Sequence, residues 1–146
     1  MIHRVLKVGS WVIDFLFAES RYDIEGTLAC LRHANAPEWV LREAYDLMTS
    51  CDKDCGFTFS RREERYSYAN QDNHRAVVLI GPTSSGDEFL DTFVHEIRHV
   101  ADAIAKSIGV QLDSEDAAYL SGDTARELAD VVCRLSCNHC RRYRAK

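Results

Sequence analysis

The segment Phe89-Leu-Asp-Thr-Phe-Val-His-Glu-Ile-Arg-His-Val-Ala-Asp-Ala-Ile104 decides how the rest of this 146-residue chain is read. Phe89, Leu90, Phe93, Ile97, Val100, Ala101, Ile104 and Ile108 recur at spacings of three and four, which aligns them as one apolar stripe on an α-helix. Ser85-Gly-Asp-Glu88 has the form of a capping box and Gly109 that of a stop, so the pattern predicts a helix between them. Opposite the stripe fall Thr92, His95, His99 and Asp102.

Within that segment, His95-Glu96-Ile97-Arg98-His99 reads H-E-x-x-H. Residues four apart on a helix stack one turn apart on the same face, so His95 and His99 can aim two imidazole nitrogens at one metal ion. Neutral imidazole suits Zn²⁺, which lowers the pKa of a bound water from ~15.7 towards ~7. Glu96, next to His95, is placed to take the proton as that water attacks a carbonyl. The bland alternative is a solvated histidine pair on a polar face. The helical context, an acidic helix downstream and a strand-like segment upstream argue for the metal site.

Composition sets the frame. The length fits one domain, residues 1–146, with a real core. Hydrophobic content of 46% and charged content of 28% are ordinary for a globular protein. A net charge of −5 argues against nucleic acid as a partner, and the basic run Arg141 to Lys146 reads as a solvated tail. The apolar run from Trp11 to Ala18 is interrupted by Asp14 and falls far short of the ~20 residues that cross a bilayer. With neither a leader nor a span evident, a cytoplasmic location is expected, with the six cysteines reduced or metal-bound.

The chain before the H-E-x-x-H segment alternates between the two secondary structures. Residues 3–18 read as one strand or a hairpin broken at Gly9-Ser10. Ile24 to Arg32 and Pro37 to Thr49 turn helical, with Trp39, Val40, Ala44, Leu47 and Met48 as the buried side of the second helix. Trp39 as a binding platform is the lesser reading. Phe57-Thr-Phe59 and Arg65-Tyr-Ser-Tyr68 alternate as strands, and His74 to Ile80 is a more continuous apolar strand ended by Gly81-Pro82. By its place just before the H-E-x-x-H helix, that last strand is the one expected to pair with an extended substrate.

A catalytic zinc usually takes three protein ligands. A second helical stretch runs from about Ser114 to Cys137, capped by Ser114 or Asp113 and marked inside by Gly122 as a close approach or a break. Glu115, sixteen residues past His99, opens this stretch and is the first candidate for the third ligand. Asp116, then Asp123 or His74, stand behind it. The alternative is that Glu115 and Asp116 merely favour a helix N-terminus. Asp102 is placed to orient an imidazole from behind or to face solvent. Tyr119 is read as a core or interface tyrosine, with hydrogen bonding to an oxyanion as the lesser reading.

The H-E-x-x-H residues, followed by an acidic helix with Glu115 and the Ala-Ala-Tyr-Leu run, resemble the zincin metallopeptidases. Within them the chain looks most like the small, glutamate-ligand (gluzincin-like) phage and bacterial zinc peptidases of the ImmA/IrrE style. The resemblance covers about residues 57–137. It implies zinc, a water nucleophile, Glu96 as general base and a peptide or protein substrate. The Asn-Glu-x-x-Ser-Asp string of thermolysin-like enzymes is absent, as are the longer metzincin motif and the Gly-Cys-Leu signature of peptide deformylases.

Cys51, Cys55, Cys137 and Cys140 have spacings that permit a second, structural zinc site. The alternatives are cysteines buried as small hydrophobes, Cys30 among them, or a disulfide to the C-terminus. The expectation is therefore an α+β domain with a small, mostly antiparallel sheet beside a zincin-like helix. It would act as a zinc-dependent peptidase, with a shallow cleft and a partner protein to help select substrate. The competing reading is a non-catalytic zinc-binding structural or regulatory module built on the same histidines and the cysteines.

Overall fold

The computed structural model describes residues 1–50, 56–62 and 74–137. In chain order the elements are β1 (Ile2–Val8), β2 (Trp11–Phe17), α1 (Ile24–His33), α2 (Glu38–Thr49), β3 (Gly56–Arg61), β4 (His74–Ile80), α3 (Gly86–Ile108), α4 (Glu115–Glu127) and α5 (Ala129–Ser136). The α+β expectation holds. The four strands lie in the order β1-β2-β4-β3. The outer pairings, β1 with β2 and β3 with β4, are antiparallel, whereas the central pairing of β2 with β4 is parallel. The sheet is therefore mixed. A parallel pair needs a long crossover, and α1, α2 and β3 supply it.

The hairpin expected at Gly9-Ser10 closes on the pair Val8–Trp11. Gly9 has φ +57 while Ser10 does not take a positive φ, the type II′ pattern that suits the twist of paired strands. β2 is buried along its whole length and sends alternate residues to opposite faces. Trp11, Ile13, Phe15 and Phe17 join Ala76, Val78 and Ile80 of β4 beneath α3 and α5. Leu16 joins Val77 and Leu79 beneath α1 and α2. Each fully buried side chain of this size contributes roughly 1.5–3 kcal/mol.

The ends of α3 follow the sequence pattern. Ser85 Oγ accepts the Glu88 amide at 3.1 Å, and Gly109 closes the helix at φ +73. The return contact of Glu88 goes one residue beyond the usual box, to Ser84, whose hydroxyl donates to it at 2.7 Å. Gly86 sits so close to the main-chain carbonyl of Ser136 that a Cβ there would collide with it. Its bareness lets the start of α3 meet the end of α5.

Four expectations are corrected. Trp39 is 66% exposed, because the buried face of α2 is set by Val40, Ala44 and Met48. Leu90 and Ile108, at the margins of the α3 stripe, are likewise exposed. The long downstream helix is two helices, broken at Leu128 (φ −105, ψ 8) rather than at Gly122. The turn there carries Leu128, Val131 and Leu135 into the core, while Gly122 has open space around it. Finally, β4 is paired on both sides and cannot take an added strand, so the outer strand next to α3 is β3. The segment Arg65–Tyr68 and Cys51, Cys55 and Cys140 lie outside the described residues.

Candidate metal centre

One face of α3 and the outer strand β3 enclose a cleft of about 960 Å³. On β3, Phe57 and Phe59 pack toward α1 and α2. By alternation, Gly56, Thr58 and Ser60 turn toward α3, and all three line the cleft. From α3 the cleft receives Asp91, Thr92, His95, Glu96, His99 and Asp102. The titratable side chains around it include four acids, Glu43, Asp91, Glu96 and Asp102, against two bases, Arg62 and Lys106. That balance favours a cation.

His95 and His99 are exposed into the cleft, with rings 4.8 Å apart between centroids and nearly perpendicular at 78°. Their Nε2 atoms converge to 3.1 Å. That separation lies near the ~3.3 Å between two nitrogens bound to one tetrahedral zinc at ~2.05 Å each. A small outward rotation of either ring makes the difference, so the donor pair fits a metal.

Glu96, one residue from His95, is turned about 100° around the helix and points to the strand. It is only 5% exposed. Thr58 Oγ1 donates to its Oε2 in a short hydrogen bond, and Gly56 approaches its carboxyl so closely that a Cβ there would overlap it. Bare backbone at 56 and a hydroxyl at 58 thus hold the Glu96 carboxylate in the cleft wall. Neither contact was legible from sequence, because the pairing of β3 against α3 is long-range. Asp91 was also missed. Its spacing, four residues before His95, places it on the histidine face, and it lines the cleft.

The other candidates lie elsewhere. Glu115 and Asp116 are exposed in the first turn of α4, where Ser114 caps the helix by accepting the Ala117 amide at 3.2 Å. They occupy the place that helix-terminus electrostatics favour, and neither lines the cleft. Among the described residues no third His, Cys, Asp or Glu brings a ligand atom within 4.8 Å of both imidazoles, so Glu115 is not gathered to the pair. Asp123 is exposed and pairs with Arg126 at 3.2 Å. His74 packs against Trp11 with the rings tilted by 34° and 5.0 Å between centroids. Tyr119 is 62% exposed on α4 and lies outside the core, the first of the two places expected for it, and away from the cleft. Asp102 lies in the cleft and forms an ion pair with Arg98, Oδ1 to Nε 2.8 Å, while Arg98 Nη2 donates to the Leu112 carbonyl at 2.9 Å. Cys137 is exposed at the end of α5.

No helix among the described residues is long and apolar enough to cross a membrane. No protein-family model matches the chain, and no curated protein or solved structure matches it either.

Proposed function

We propose that the chain is a zinc-dependent metallopeptidase of zincin type, with His95 and His99 as metal ligands and Glu96 as general base. The observation that carries this reading is the convergence of the two Nε2 atoms at 3.1 Å beside a buried, hydrogen-bonded Glu96. Zinc bound by the imidazoles would supply a Lewis acid and an acidified water. The chain's own contribution is the carboxylate. Glu96, held by Thr58, accepts a proton from the water nucleophile and returns it to the departing amine. The outward edge of β3 has no strand partner among the described residues, so an extended peptide can lie along it by backbone pairing. A protein substrate in a reducing, cytoplasmic setting fits the free thiols of Cys30 and Cys133.

The test is metal content and peptidase activity of wild type beside His99→Ala and Glu96→Gln. About one zinc equivalent per chain, lost in His99→Ala but retained in Glu96→Gln, with kcat down ~10²-fold or more in the latter, supports the proposal. Zinc content and activity that are both unchanged in His99→Ala would overturn it. Zinc retained without any activity that depends on Glu96 would instead favour the non-catalytic zinc-binding module.

A further inference from the structure

A second group of ligand-type side chains lies at the other outer strand of the sheet. His3 of β1, Asp14 of β2 and Cys30 of α1 bring one nitrogen, one oxygen and one sulfur all within 4.8 Å of one another. They come from three elements distant in sequence. The register explains the meeting. His3 pairs opposite Leu16, and Leu16 faces α1 and α2, so His3 and Asp14 share that face by alternation. Cys30 packs onto the same layer from α1.

Asp14 is the unusual member. It is the one charged residue in a strand whose other six positions are apolar, and it is 8% exposed. A carboxylate that deep needs a positive or strongly donating partner. His3 Nε2 stands 2.6 Å from its Oδ1, while His3 itself reaches solvent with 43% of its side chain exposed. The bland account ends at that hydrogen bond and treats Cys30 as packing. It leaves the arrival of a sulfur at the same point as a coincidence. A Cys–His nucleophile pair is a poorer account, since burial and the charges of Asp14 and Asp23 push the Cys30 thiol up, the reverse of what thiolate attack needs.

We infer that His3, Asp14 and Cys30 form a metal site for a borderline divalent cation such as Zn²⁺, separate from the histidine pair on α3. Tetrahedral zinc at ~2.0–2.3 Å from N, O and S donors requires them ~3.3–3.6 Å apart. The His3–Asp14 contact therefore opens slightly while the sulfur closes in, and solvent beside His3 takes the fourth position. Such a site would pin β1 and α1 to the sheet from one side. Its role is structural, and it does not depend on the peptidase proposal.

The test uses the full-length, reduced, chelator-treated protein. Pulse alkylation with N-ethylmaleimide, with and without micromolar Zn²⁺, is read by mass spectrometry on the tryptic peptide Tyr22–Arg32, whose only cysteine is Cys30. Zinc should slow Cys30 labelling tenfold or more in wild type and equally in His99→Ala. The protection should disappear in His3→Gln, which keeps a hydrogen-bond donor for Asp14 but is a poor ligand. Circular dichroism checks that this variant is folded, and Cys30→Ser with Co²⁺ gives a second readout, loss of a thiolate-to-cobalt absorption band. Labelling that zinc leaves unchanged in wild type overturns the site. So does protection that persists in folded His3→Gln.

Discussion

Thr58→Val removes one hydroxyl and almost nothing else. Valine matches threonine in shape and is at least as content in a strand, so β3 keeps its pairing with β4. What goes is the one hydrogen bond to Glu96 among the described residues, and Glu96 is only 5% exposed. A bond to an ionised group is worth ~1.5–3 kcal/mol, and a buried acceptor left unsatisfied costs a similar amount. We expect a loss of about 2 kcal/mol, which in a chain of this size lowers Tm by about 4–8 °C. Urea and thermal melts measure it directly. Thr58→Ser, which keeps the hydroxyl, should recover most of the loss. In the Glu96→Gln background the acceptor is neutral and the bond about half as strong, so Thr58→Val should cost ~1 kcal/mol less there. Melting within 1 °C of wild type would mean that Thr58 does not hold Glu96. Equal costs in both backgrounds would mean that the loss has another origin.

Three further outcomes follow from the packing. Gly86→Ala drives a Cβ into the Ser136 carbonyl; since neither backbone can step aside cheaply, a loss of ~1–3 kcal/mol is expected in urea melts. Trp39→Ala, at a side chain 66% exposed, should leave stability within ~0.5 kcal/mol, and a large loss would show that α2 is rotated from its described position. In metal-free protein, Cys30 should alkylate more slowly than exposed Cys133 at neutral pH. Burial, then Asp14 and Asp23, raise its pKa, so its rate should still be climbing at a pH where an ordinary thiol of pKa ~8.5 is already ionised.

What could be read from sequence was what neighbours along the chain decide. The limits of α3 rest on Ser85 and Gly109, and those of β4 on a run of apolar residues closed by Gly81-Pro82. Both depend on local chemistry and both hold. Trp39 misled because a helical stripe of period 3.6 leaves its margins ambiguous, and a large aromatic at the margin is drawn inward by hydropathy alone. Leu128 misled differently. Nothing in its own chemistry breaks a helix, and the break exists because Val131 and Leu135 gain burial by turning. The assignment of an outer strand to β3 and not β4 could not be read at all, since strand order is a long-range property. Position along the chain favours Glu115, whereas a ligand is decided by distance in space.

The cleft depends on two adjacent residues of α3 having opposite surroundings. His95 is exposed and Glu96 is buried, and a rotation of ~100° per residue is enough to separate them. That separation only becomes a usable arrangement because β3 arrives at the same height with Gly56 and Thr58 two residues apart. With a side chain at 56 the carboxylate would be pushed away; without a hydroxyl at 58 it would be buried with no hydrogen-bond partner among the described residues. The H-E-x-x-H pattern therefore specifies where the imidazoles go but not where the carboxylate goes. The second half of the site is written thirty-eight residues earlier, in the spacing from Thr58 to Glu96. A chance occurrence of the five-residue pattern would have no reason to meet a bare position and a donor on a neighbouring strand. That coincidence of independent parts, more than the pattern itself, is the argument for chemistry in this cleft.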